Sequence, residues 1–121
     1  MSKIKFNKET ALAWIKAFND HDLDSLLALY ADDAVHFSPK LKIRIPESNG
    51  HVSGKIALRQ WWGDAFNRLP SLNYHLVNLI INDDQVLMEY VRRVDGDAEM
   101  MIAEVLEIKD KLIIRSRVYQ A

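Results

Sequence analysis

The sequence predicts an α+β fold, with three helices in the N-terminal half packed on one face of a curved antiparallel sheet. Two observations carry this. Helix-type apolar spacing dominates as far as Leu69, and runs rich in Val, Ile, Leu and Tyr dominate from Leu72 onward. Helices gathered ahead of an antiparallel sheet are the pattern of an α+β domain. At 121 residues the chain has the length of one domain spanning 1–121, enough to bury a real core.

In the first helix, residues 8–19, Ala11, Trp14, Ile15 and Phe18 share one face, and Asn7 is the expected N-cap. Asn19-Asp20-His21-Asp22 breaks the pattern with turn-prone residues. Leu23, Leu26, Leu27 and Tyr30 repeat the spacing over residues 23–30, with Asp22 as cap, so an antiparallel helical hairpin is expected. Residues 34–38 read as a short strand stopped by Pro39, and residues 40–50 as an irregular stretch that holds either a short hairpin or a loop over a pocket mouth. The third helix, residues 54–69, carries a wide stripe of Leu58, Trp61, Trp62, Ala65, Phe66 and Leu69, and ends before Pro70. Strands follow at 72–81, 85–94, 98–108 and 112–119, separated by turn-like triplets, which makes an antiparallel meander. A strongly curved sheet would leave a cavity against the helices.

Composition excludes several function classes. Sixteen Lys and Arg against seventeen Asp and Glu give a net charge of -1, without the basic excess of a nucleic-acid or anionic-membrane binder. With no cysteine, disulfides, thiolate metal sites and Cys nucleophiles are excluded. The four His show no metal-ligand spacing, so no metal is expected. No phosphate loop or dinucleotide fingerprint is present, so no cofactor is expected either. The N-terminus lacks an apolar signal region and no run of 18 apolar residues occurs, so a cytoplasmic protein is expected.

Two segments resemble the nuclear transport factor 2-like superfamily, and within it the SnoaL-like polyketide cyclases and ketosteroid isomerases. They are Trp14 through Val35, with its Asn19-Asp20-His21-Asp22-Leu23-Asp24 turn and Tyr30-Ala31-Asp32-Asp33-Ala34-Val35, and Ser53 through Trp62, with Gly54-Lys55-Ile56-Ala57-Leu58-Arg59. The resemblance implies a conical α+β barrel around an apolar pocket, usually as a homodimer. The isomerase site it implies needs a carboxylate base, a Tyr and a protonated Asp. Those positions fall at Ser38, at Trp14 and near Glu104. Only the last keeps its chemistry, which disfavours a true ketosteroid isomerase.

Among the residues themselves, Glu104 stands out as the one polar residue on the face of Met100, Ile102, Leu106 and Ile108. It is either a desolvated pocket carboxyl with a raised pKa or the partner of Arg115 or Arg117 on the next strand. A three-residue turn at 109–111 would set Ser116 opposite Glu104, and a two-residue turn Arg117; apolar matching favours the first. Glu89 would share the Glu104 face if Asp95-Gly96 closes a two-residue turn. His36 shares a strand face with Ser38 and could replace the missing base. Trp14, Phe18 and Trp62, with Tyr30 and Trp61, form core, pocket lining or both, and suit a flat apolar ligand. Arg44 and His51, in or beside the irregular segment, are either solvated loop residues or a pair that binds an anionic group at a pocket mouth.

The expected function is therefore a small-molecule pocket with acid–base chemistry on a hydrophobic oxygenated ligand. Glu104 and His36 would be catalytic, and Trp14, Phe18, Ser38, Trp62 and Glu89 would bind substrate. A non-catalytic binding or dimerisation domain on the same scaffold is the alternative, and an epoxide hydrolase built on an Asp-Arg-Asp constellation ranks third.

Overall fold

Ser2 opens the first helix by accepting a hydrogen bond from the Lys5 amide at 3.1 Å. The computed structural model describes residues 2–120. Helix α1 (Lys3–Asn19) starts earlier than expected, because Ile4 and Phe6 alternate with Lys3 and Lys5 and do not extend the helical spacing of Ala11, Trp14 and Phe18. Asn7, the expected cap, is instead buried within the helix. Its Nδ2 donates to the carbonyls of Asn82 and Asp83, both at 3.0 Å, and ties α1 to a turn of the sheet. Asp22 caps α2 (Leu23–Leu27) through the Ser25 amide. This helix ends before Tyr30, which opens strand β1 (Tyr30–Phe37) with its ring buried.

Residues 40–50 hold more structure than expected. Ser38 accepts from the Lys40 amide at 3.3 Å and caps a short helix α3 (Pro39–Arg44). Pro39, read from sequence only as a strand stop, is also a good first residue of a helix. A single 3₁₀ turn (Pro46–Ser48) and strand β2 (His51–Ser53) follow, then helix α4 (Lys55–Arg68). Gly50 joins the turn to β2 at φ 86°, and a Cβ there would stand 2.6 Å from Phe37 Cε2, so the position needs glycine.

Strands β3 (Asn73–Ile81), β4 (Gln85–Arg93), β5 (Met100–Lys109) and β6 (Leu112–Gln120) form the expected antiparallel meander. The whole sheet runs β2-β1-β6-β5-β4-β3, and β1 lies parallel to β6. The sheet is therefore mixed, not purely antiparallel. Among the described residues four α-helices precede the meander, since α3 joins the three expected ones.

Both expected registers of β5 and β6 are corrected. The turn is the two-residue Asp110-Lys111, each at positive φ as a primed hairpin turn requires. A bulge then shifts the ladder by one residue between Glu107↔Arg115 and Ile108↔Ile113, so Glu104 faces Val118. The bulge lets Ile113 and Ser116 both point inward although they are three residues apart.

The core fills the space between the inner sheet face and α1 and α4. Val86, Met88 and Tyr90 of β4 and Ile102, Leu106 and Ile108 of β5 pack against Trp14, Phe18, Leu58 and Trp62. Among the described residues no helix is long and apolar enough to cross a membrane.

Candidate functional site

A cavity of about 370 Å3 lies between the helices and the inner sheet face. Its lining changes character with position in the fold. Phe18, Trp61, Trp62, Leu69, Leu72, Tyr74, Ile102 and Val118 supply apolar and aromatic surface. His36, Ser38, Tyr90 and Glu104 supply the neutral polar groups, and Lys40, Arg44, Arg68, Arg92 and Asp97 the charged ones. The aromatic wall is continuous, with ring centroids 4.9 Å apart for Phe18 and Tyr74 and 4.2 Å apart for Tyr74 and Tyr90.

Glu104 is 1% exposed and has no cationic partner among the described residues. Arg115 and Arg117 pair with Glu107, which points to the opposite face of the same strand. The Tyr90 hydroxyl donates to Glu104 Oε1 at 2.8 Å. Oε2 has no partner, and it is the one buried side-chain polar atom of which this is true among the described residues. Burial lifts the Glu104 pKa to about 8, against the opposing pull of the Tyr90 bond. At neutral pH the group is a carboxylic acid with an unused polar atom.

His36 is held on the other side of the cavity by a buried chain of hydrogen bonds. Trp14 Nε1, which can only donate, donates to Tyr30 Oη at 3.1 Å. Tyr30 Oη donates to Ser116 Oγ at 3.0 Å, and Ser116 Oγ lies 2.6 Å from His36 Nδ1. Burial holds the His36 pKa down to about 3, although a hydrogen bond with the Ser116 backbone acts in the other direction. His36 is thus a neutral imidazole. It sits on β1 and Glu104 on β5, with β6 between them, so about 10 Å of sheet separates the two strands.

Five of the seven expected site residues line the cavity: Glu104, His36, Phe18, Ser38 and Trp62. Trp14 does not. It is fully buried behind the wall, packs on Phe18 with ring centroids 4.3 Å apart, and is joined by hydrogen bonds through Tyr30 and Ser116 to His36. Glu89 is also corrected. Met88, not Leu87, stands opposite Glu104, because the loop 94–99 is longer than a two-residue turn. One residue of register turns a side chain to the other face, so Glu89 accepts from Asn78 at 3.0 Å on the outer face. The same offset brings in Tyr90 and Arg92, which the expected register had turned outward. Alternation along Val86, Met88, Tyr90 and Arg92 carried the signal that could have found them. Of the loop candidates, Arg44 reaches the cavity and His51 is exposed outside it. Among the described residues no three His, Asp or Glu come together as metal ligands.

The fold and cavity define an α+β pocket domain. Residues 11–116 match the SnoaL-like domain family, and the chain belongs to it. None of the curated proteins compared with it matches. Among solved structures it is similar to a SnoaL-like protein of unknown function from Burkholderia thailandensis E264, with 26% identity, a TM-score of 0.87, and 97% and 95% of the two chains covered. It shares its fold with TerC co-crystallised with polyporic acid, at 18% identity and TM-score 0.82 over 96% and 92% of the chains. It also shares it with a protein of ketosteroid isomerase-like fold from Catenulispora acidiphila DSM 44928 in complex with trimethylamine, at 17% identity and TM-score 0.73 over 92% and 84%.

Proposed function

We propose that the chain is a cofactor-independent acid–base protein, in which a conical cage of sheet and helices encloses a small, hydrophobic, oxygenated ligand. The observation that carries the reading is Glu104: a buried acid on the cavity wall with one oxygen unpartnered. A ligand carbonyl or hydroxyl would satisfy that oxygen and accept a hydrogen bond or a proton from it. With Nδ1 held at Ser116, His36 keeps Nε2 for the ligand. A carbon acid placed between the two would lose its α-proton to Nε2 while Glu104 stabilises the enol oxygen; returning the proton at another carbon completes an isomerisation, and where the enol carbon instead attacks a second carbonyl of the ligand, returning it to the new alkoxide completes a cyclisation. Imidazolium formation in so dry a site needs the opposite charge developing on the ligand. Solved relatives bind small molecules, trimethylamine in one and polyporic acid in another, and this supports a ligand here.

One observation favours a second reading, binding without turnover. If the Ser116 hydroxyl completes the chain by donating to Nδ1, the ring hydrogen lies on Nε2 and His36 is a second donor instead of a base. Incubation with 2-tetralone, an apolar enolisable ketone, in deuterated buffer separates the two. Acid–base function predicts α-deuterium incorporation at least tenfold above buffer, lost in Glu104→Gln. Saturable binding with exchange at the buffer rate would establish the second reading.

The proposal extends to a homodimer formed through the outer sheet face, where Val77, Met101 and Tyr119 are exposed. Light scattering behind a sizing column tests this: a mass of one chain at micromolar concentration would exclude it.

A further inference from the structure

We infer that the ligand carries an acidic oxygen, a carboxylate or an ionised enol, and that Arg92, with Lys40 beside it, is the group that receives it. This rests on the pocket reading above and names the ligand class for the same cavity. Arg92 is only 7% exposed, yet its one ionic partner among the described residues is Asp97, at 3.7 Å and on a half-exposed side chain. That separation is beyond a good hydrogen bond, so a nearly buried guanidinium faces the cavity without a close acceptor. Lys40 Nζ has neither an ion pair nor a hydrogen bond among the described residues.

The charges do not balance within the site. Arg44 and Arg68 reach the same cavity and share one carboxylate, Asp64, at 3.6 and 2.7 Å. Four cations therefore meet Asp97 and Asp64, while Glu104 and His36 stay uncharged at neutral pH. Burial, and next the charge of Arg92, pull the Lys40 pKa down to about 8. That mutual crowding is what a bound anion would relieve. A planar guanidinium matches a carboxylate through two parallel hydrogen bonds, and the aromatic wall takes the ligand's apolar body. The resulting ligand is a compact ring system with one acidic group, held by its charge at the cationic side of the cavity.

Calorimetric titration with 2-naphthoate and its neutral isostere 2-naphthamide tests this. Naphthoate is expected to bind at least ten times tighter than the amide. Arg92→Gln should abolish the preference, and Lys40→Met, on the short and partly exposed α3, should reduce it severalfold should the Arg92 variant fail to fold. At pH 8.5, naphthoate binding should take up a proton, seen as a dependence of the heat on buffer ionisation. Equal affinity for acid and amide would overturn the anion assignment and leave the pocket reading standing. Binding of neither at millimolar concentration would overturn both.

Discussion

Replacing Glu104 by Gln keeps the side chain's shape and its acceptor for Tyr90 but removes the ionisable proton. The folded chain holds that proton up to about pH 8, whereas an ordinary Glu releases it near 4.5. A folded pKa raised in this way gives stability that is complete below pH 4.5 and drains away as the pH rises to 8. His36 acts in the opposite sense. Its pKa falls from 6.5 to about 3, so its contribution is complete above pH 6.5 and is lost as the pH drops toward 3. The two slopes offset each other between pH 4.5 and 6.5. From 6.5 to 8 the Glu104 slope stands alone of the two, and a pH change of one and a half at 1.36 kcal/mol per unit gives about 2 kcal/mol.

The other ionisable groups around the cavity leave this window clear. Tyr90, Tyr74 and Tyr30 are all pushed up by burial and stay neutral through it. Lys40 is the exception: it titrates around pH 8, at the top of the window, and being common to both proteins it drops out of their difference. Urea unfolding followed by tryptophan fluorescence, at constant ionic strength between pH 6.5 and 8, measures the effect. The wild type should lose about 2 kcal/mol relative to Glu104→Gln across that range. Parallel stability curves for the two proteins would refute the reasoning, because they would mean that Glu104 ionises alike in the folded and unfolded chain.

Three further outcomes follow from the packing. Ser116→Ala removes the oxygen shared by Tyr30 and His36, leaves both polar groups buried without it, and should cost about 1–3 kcal/mol in urea unfolding. Trp14→Phe should cost about as much through its lost bond to Tyr30 and lost volume, yet leave naphthoate affinity within twofold, because Trp14 does not line the cavity. Gly50→Ala meets both the positive φ and the Phe37 ring, and should cost about 1–3 kcal/mol with a lowered melting temperature.

What could be read in the sequence follows from which interactions are local. The faces of α1 and α4, the cap at Asp22 and the places where the meander turns are encoded within a few residues, and the structure has them. Glu104 was legible because a single carboxyl on an otherwise apolar strand face is conspicuous at a period of two. Its neighbours were not, because they depend on register. The bulge beside Glu107 and the longer loop 94–99 each move the pairing, and nothing local announces either. The parallel contact of β1 with β6 joins residues about 80 apart, so no short pattern marks it. Helix α3 was hidden because Ser38-Pro39 fits a strand end and a capped helix start equally well. Of the cationic side of the cavity only Arg44 was legible, as a residue of the expected loop; Lys40 and Arg92 are far apart in sequence and meet only through the fold.

The central claim is that Glu104 is a neutral acid in the cavity at physiological pH. Carbon-13 NMR of the glutamate side-chain carboxyls, with the Glu104 signal assigned by its absence in Glu104→Gln, measures this directly. A titration midpoint near pH 8 is expected for that one signal. A midpoint near 4.5 would show a carboxylate at neutral pH and would contradict the acid–base reading built on it.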